Sequence, residues 1–127
     1  MNNISIIEKK LKILVVEDNP VCQNILMNIL RFFGHFSVAA NNGEEGIQKY
    51  KTEGGFDIIF TDMEMPIMNG IQMTQEIRKY DANIPIIFCT GNTKDYDMIR
   101  YMESGATSIL KKPISKDELL AVLCKYN

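Results

Sequence analysis

Five short apolar runs, each followed by a stretch patterned as a helix, constrain this chain more than any other feature. The runs cover residues 13–16, 35–40, 56–61, 84–89 and 108–110. Strand followed by helix, five times over, calls for a parallel sheet, because parallel neighbours need a crossover and the helices supply it. The expected fold class is therefore α/β and doubly wound, (βα)5. Its sheet has five parallel strands in the order 2-1-3-4-5 and helices on both faces. The first, third and fourth runs are apolar throughout, as central strands covered on both sides should be. The second, HFSVAA, is more polar and suits an edge.

The punctuation between the runs sharpens this reading. Residues 1–10 read as a frayed or weakly helical lead-in, and residues 11–127 as one domain. Glu17-Asp18 stops the first run. Asn19-Pro20 starts a helix: a capping side chain, then a proline in the first turn, where its missing N–H costs nothing. Val21, Ile25, Ile29 and Phe33 recur every four residues, so 20–33 reads as an amphipathic helix ended by Gly34. Asn42 caps a second helix, with Glu45 three residues on, and Gly54-Gly55 ends that region. A third helix runs from about Asn69 to Tyr80, with Met73, Ile77 and Tyr80 on one face. Residues 94–103 form a short helix with Met98, Ile99 and Met102 as its apolar face, ended by Gly105. Ser115-Lys116-Asp117-Glu118 reads as a capping box, and Leu119, Val122, Leu123 and Tyr126 as the buried stripe of the last helix.

Composition excludes several function classes. The 127 residues make one domain with one core. A net charge of −2 offers no general attraction to nucleic acid or to acidic membranes. No apolar run approaches the roughly 18 residues a membrane span needs. The opening MNNISIIEKKLK sets its apolar patch ahead of its lysines, the reverse of a signal peptide, so a cytoplasmic protein is expected. Cys22, Cys89 and Cys124 are far apart, which argues against a disulfide framework or a zinc site and for buried or half-buried free thiols. The lone His35 cannot build a metal site and is expected at the edge of a strand. The methionines fall at core-like spacings and read as packing.

In sheets of this kind ligands bind outside the carboxyl ends of the strands, where the strand order reverses. The first strand ends in Glu17 and Asp18, the third in Asp62, the fourth in Thr90 and the fifth in Lys112. The order 2-1-3-4-5 makes the first and third strands neighbours, so the three carboxylates converge, with Thr90 and Lys112 beyond Asp62. Each residue alone has an ordinary explanation, since an acid before a helix is usually a cap. Together they describe a site. Three mutually repelling carboxylates want a cation, and an all-oxygen set with room for water suits Mg²⁺, or Mn²⁺, better than zinc.

Asp62, at the tip of a stiff strand, is the candidate nucleophile toward a phosphoryl group. Phosphoryl transfer mostly requires positioning and neutralisation of three oxygens. The cation serves one, the Lys112 ammonium a second, and the Thr90 hydroxyl with nearby backbone N–H groups the third. The loop after Asp62, MEMPIMNG, is bent by Pro66 and Gly70, which lets backbone groups approach metal and phosphate.

The segments ILVVEDNP (13–20), FDIIFTDMEMPIMNG (56–70), PIIFCTGN (85–92) and GATSILKKPI (105–114), in this order and spacing, resemble the receiver domain of two-component response regulators. The resemblance runs from about Leu11 to Leu123. VEDNPVCQNIL, GHFSVAANNGEEGI and DMEMPIMNG are particularly similar to receivers of hybrid histidine kinases and phosphorelays. The resemblance implies a flavodoxin-like fold and a signalling phosphoacceptor that catalyses only its own phosphorylation and dephosphorylation. Asp62 would accept the phosphoryl group from a phosphohistidine on a histidine kinase or histidine phosphotransfer protein. Glu17, Asp18, Asp62 and the backbone carbonyl of Glu64 would hold Mg²⁺, and Thr90 and Lys112 would bind the phosphoryl oxygens. The Lys112–Pro113 bond would be cis. Thr90 would turn inward on phosphorylation and bias the chain toward a second packing that an output protein or domain reads.

Two positions depart from that family. An aromatic residue often stands three residues before the paired lysine, and here it is Ile109. The residue after Thr90 is commonly alanine, and here it is Gly91, which loosens that loop. The two positions that tune loss of the phosphoryl group in the family are Glu64 and Asn92.

Two other classes use part of this pattern. A Mg²⁺-dependent enzyme acting on nucleic acid could use Glu17 with Asp62 and Glu64. It leaves Thr90 and Lys112 without a task, and the chain has no basic track. A receiver-like interaction domain that no longer switches would draw on Ile109. The intact set Glu17, Asp18, Asp62, Thr90 and Lys112 argues against it.

Overall fold

The computed structural model describes residues 9–127. The lead-in expected for residues 1–10 therefore lies almost wholly outside the described residues. Ten elements alternate: β1 (Lys12–Val16), α1 (Pro20–Phe32), β2 (Phe36–Ala40), α2 (Gly43–Glu53), β3 (Ile58–Asp62), α3 (Gly70–Arg78), β4 (Ile86–Thr90), α4 (Asp95–Glu103), β5 (Ser108–Lys111) and α5 (Lys116–Lys125). The strands form one parallel sheet in the order β2-β1-β3-β4-β5, as the alternation predicts.

The period-2 alternation of a strand sorts each central run onto two cores. Ile13, Val15, Ile58, Phe60, Ile87 and Cys89 face Leu26 and Leu30 of α1 and Leu119 and Leu123 of α5. Leu14, Val16, Ile59, Ile86 and Phe88 face Met73 and Ile77 of α3 and Tyr101 of α4. Each such fully buried side chain contributes about 1.5–3 kcal/mol relative to leaving it in water. Strand β2 lies at the edge, and its first residue Phe36 is exposed.

The helix faces correct three sequence expectations. In α1, Val21 and Ile25 are 65% and 55% exposed, while Leu26 and Leu30 are buried. A strict four-residue repeat slides about 40° around the helix at each step, so its first members leave the face its last members occupy. Tyr80 lies beyond the end of α3 and is exposed, with the Lys51 ammonium 4.5 Å from its ring centroid. In α4, Ile99 and Met102 are exposed and Tyr101 is the buried residue.

Other local readings stand or shift by small amounts. Asn19 and Asn42 cap α1 and α2. The reciprocal capping box belongs to α3, between Asn69 and Gln72. At α5, Ser115 accepts from the Asp117 and Glu118 N–H groups. Strand β4 begins after Pro85, where donor-bearing residues resume. His35 precedes β2 and is buried, its Nδ1 accepting the Leu11 N–H at 3.0 Å. All three cysteines are free, but Cys22 and Cys124 are exposed, and only Cys89 is buried.

Candidate functional site

The sheet delivers four of its five strands' ends to one place. Register pairs Val16 of β1 with Thr61 of β3, and Asp62 of β3 with Cys89 of β4. Glu17 and Asp18 leave β1 beside the end of β3. A carboxylate oxygen from each of Glu17, Asp18 and Asp62 lies within 4.8 Å of the others. Glu17 is buried, Asp62 is half-buried and Asp18 is exposed.

Lys112 reaches in from the end of β5. Its Nζ is 2.8 Å from Glu17 Oε1 and 3.3 Å from Asp62 Oδ1. Its backbone N–H donates to the Thr90 carbonyl at 2.8 Å, which ties the ends of β4 and β5 together. The Lys112–Pro113 peptide bond is cis. Burial pulls the ammonium pKa down, but the Glu17 hydrogen bond and the charges of Asp62 and Glu17 outweigh it, so Lys112 stands above its ordinary value. Three carboxylates and one ammonium leave net negative charge in the cleft. With oxygen donors of this kind, a hard divalent cation fits the donor set.

The carboxylates are held from behind. Glu17 Oε2 accepts the Asn19 N–H at 3.1 Å. Asp62 Oδ1 accepts the Met63 N–H at 2.9 Å as well as facing Lys112. Oδ2 of Asp62 has no hydrogen-bond donor among the described residues. Behind Asp62, the first residue of α3 packs against its backbone. A Cβ on Gly70 would stand 2.6 Å from the Asp62 carbonyl oxygen. Gly43, opening α2, is equally close to the same loop, with 2.6 Å between a built Cβ and the Met68 carbonyl oxygen. In that loop the Met68 N–H bonds to the Pro66 carbonyl around Ile67, which has φ 70. Positive φ at a β-branched residue costs on the order of 1–3 kcal/mol and places an exposed isoleucine at the rim.

The remaining predicted residues stand on β4, on β5 and in the loop after β3. Thr90 is buried at the end of β4, and its Oγ1 accepts the Asn92 N–H at 3.1 Å. Glu64 is exposed in the loop after β3. At the position of the missing aromatic, Ile109 is half-buried and in register with Phe88 of β4. Tyr101 of α4 is 1% exposed and packs on the Phe88 ring, with centroids 5.5 Å apart. Phe88 of β4 and Tyr101 of α4, not β5, supply this aromatic pair.

Sequence reasoning misses Gln23, whose Nε2 donates to the Glu17 carbonyl at 3.0 Å and to Asn41 Oδ1 at 3.1 Å. It braces the ends of β1 and β2 from one turn inside α1. Nothing in its spacing marks it, since a glutamine on a helix is ordinarily a solvent residue. Beside the site, a cavity of about 410 Å³ opens between α1 and the segment after Lys112, lined by Cys22, Ile25, Leu26, Ile29 and Ile114 and reaching Asp62.

Among the described residues, no helix is long and apolar enough to cross a membrane. Residues 13–124 match the model of the response regulator receiver domain. The chain is similar to transcription factor SKN7 of Candida albicans, 32% identical over 126 residues; the match takes in 99% of this chain and 22% of that protein, so it spans about a fifth of that relative's length. Its fold is similar to the receiver domain of sensor histidine kinase PA1611 from Pseudomonas aeruginosa PAO1, crystallised with magnesium ion coordinated in the active site cleft. That likeness has a TM-score of 0.85 and 29% identity, covering 93% of this chain and 98% of that one. The receiver domain of Ssk1 from Saccharomyces cerevisiae, in co-crystal with the histidine phosphotransfer signaling protein Ypd1, has a TM-score of 0.86 and 28% identity, covering 92% and 88%. With the doubly wound sheet and the acid cluster at its carboxyl edge, these likenesses make the chain a member of the response regulator receiver domain family, the receiver of two-component and phosphorelay signalling systems.

Proposed function

We propose that Asp62 is the phosphoacceptor and that it takes its phosphoryl group from a phosphohistidine in a Mg²⁺-dependent reaction. The observation that carries this is the Lys112 ammonium standing between Glu17 Oε1 and Asp62 Oδ1, inside a cluster of three carboxylates. Glu17, Asp18, Asp62 and the backbone carbonyl of Glu64 would hold the cation, Mg²⁺ or in its place Mn²⁺. When bound, it neutralises carboxylate and phosphoryl charge.

The chain's own residues do the rest. Asp62 Oδ2, the oxygen free of hydrogen bonds, attacks phosphorus. The P–N bond breaks, its electron pair stays on the departing imidazole nitrogen, and the product is an acyl phosphate on Asp62. Met63 N–H and Lys112 hold the other carboxylate oxygen, which keeps the attacking one aimed. Lys112 and the Thr90 hydroxyl neutralise phosphoryl oxygens. Hydrolysis by water returns the carboxylate, so the chain turns over no external substrate beyond its own phosphorylation and dephosphorylation.

The donor is a histidine kinase or histidine phosphotransfer protein, docking on exposed Val21 and Ile25 of α1 and the apolar cavity beside them. The phosphorylated form then switches binding of an output protein or domain. No basic track points to nucleic acid, and the two exposed thiols suit the reducing cytoplasm. Residues 11–127 act as the receiver unit, since Leu11 is already fully buried. A receiver-like interaction domain that no longer switches is favoured by one feature, Ile109 with Tyr101 filling the space beside it. Incubation with phosphoramidate and Mg²⁺, followed by ³¹P NMR, tests the reading. An acyl phosphate signal that EDTA prevents supports it, and no such signal refutes it.

A further inference from the structure

Thr90 is followed by a segment with little stiffness of its own. A Cβ built on Gly91 would meet nothing within 4 Å. Helix α4 then starts at Asp95, and Lys94 before it makes no side-chain capping hydrogen bond. One side chain holds the segment together. Asn92 Nδ2 donates to Asp97 Oδ2, in the first turn of α4, at 2.8 Å. Asn92 Oδ1 accepts the Lys94 N–H at 3.2 Å. The Asn92 backbone N–H donates to Thr90 Oγ1 at 3.1 Å. Asp97 is itself paired with Arg100, Nη1 to Oδ1, at 3.5 Å. A hydroxyl whose oxygen accepts a backbone N–H keeps its own hydrogen free for another acceptor.

We infer that Asp97 is a positioning residue for the Thr90 hydroxyl: by anchoring the Asn92 carboxamide to α4, it keeps the Asn92 N–H on Thr90 Oγ1 and reserves the hydroxyl hydrogen for a phosphoryl oxygen. The inference rests on the function proposed above. Asp97 touches neither the phosphoryl group nor the metal.

The test compares the parent chain with Asp97→Ala, Asp97→Asn, Asn92→Ala and the double alanine variant. Three quantities are read: affinity for beryllium fluoride as a phosphoryl mimic in Mg²⁺, affinity for Mg²⁺ alone, and hydrogen exchange of the Asn92 amide. Asp97→Ala is expected to weaken beryllium fluoride binding about tenfold, within the range of one lost charge-assisted hydrogen bond. It should also speed Asn92 exchange and leave Mg²⁺ affinity unchanged. Asp97→Asn, which keeps an oxygen to accept from Asn92, restores most of both losses. The double variant is no weaker than Asn92→Ala, because both changes break one link.

Parent-like beryllium fluoride binding or parent-like Asn92 exchange in Asp97→Ala overturns the inference. So does an equal loss of beryllium fluoride and Mg²⁺ affinity, which marks a general structural role. If the parent itself binds no beryllium fluoride, the phosphoacceptor reading fails, and Asn92 exchange in Asp97→Ala still decides whether Asp97 positions the segment.

Discussion

The Lys112 ammonium lies closer to Glu17 Oε1, at 2.8 Å, than to Asp62 Oδ1, at 3.3 Å. Glu17 is one of the three carboxylates that would ligate a cation, so lysine and metal compete for it. Lys112→Met removes both the competitor and a repelling charge. It should tighten Mg²⁺ binding about tenfold, as one unit charge a few ångström from a divalent ion implies at high effective dielectric. The same variant should slow phosphorylation by a small donor at saturating Mg²⁺. Fluorescence or calorimetric Mg²⁺ titration checks the first effect, and a variant that binds Mg²⁺ more weakly than the parent contradicts it.

Gly70 opens α3 against the backbone of Asp62, and a Cβ there would sit 2.6 Å from the Asp62 carbonyl oxygen. Backbone offers no flexible end that can yield. Gly70→Ala should therefore destabilise the chain by about 1–3 kcal/mol, as overpacking does. It should also displace Asp62 and reduce its phosphorylation. Urea denaturation gives the first number, and an unchanged midpoint would show that the loop gives way freely.

His35 is buried with Nδ1 accepting the Leu11 N–H, and burial lowers its pKa from 6.5. The unfolded chain then binds the proton more readily than the folded one. Its stabilising contribution is fully present above pH 6.5 and is lost as pH falls from there through the lower folded value. The urea midpoint should drop between pH 7.5 and the acid range, and His35→Gln should flatten that part of the profile. A drop of equal size in both proteins would assign the acid sensitivity elsewhere.

Cys89 stands in register with Asp62 and is buried, and burial pushes its thiol up to about 12. Cys22 and Cys124 are exposed. Brief treatment of the folded chain with iodoacetamide near pH 8 should modify Cys22 and Cys124 and spare Cys89, which reacts once the chain is unfolded. Rapid labelling of Cys89 in the folded chain would mean that the centre of the sheet opens readily.

The topology and the acidic cluster are legible in the sequence for the same reason. Apolar runs such as residues 13–16 and 58–60 stand out without context, and the first polar residues after them must lie at the carboxyl edge of the sheet. Glu17, Asp18 and Asp62 therefore converge as soon as the strand order is known. Helix orientation is less legible. Val21 and Ile25 belong to an apolar repeat yet face solvent, because the face of α1 is set by what lies beneath Leu26 and Leu30. Tyr101 is hidden for a related reason: its burial depends on Ile109 and Phe88 leaving room on the sheet. The tie from Asn92 to Asp97 joins a residue that the sequence sets beside the site to one that reads as helix surface, and only the turn between them brings the two side chains together.

The phosphoacceptor claim is tested most directly by the intact mass of the chain after incubation with acetyl phosphate and Mg²⁺, beside Asp62→Asn and an EDTA control. Addition of one phosphoryl group to the parent, and none to the variant or with EDTA, is the expected result. A parent that gains no phosphoryl group while binding Mg²⁺, or an Asp62→Asn variant that gains one as readily, would contradict it.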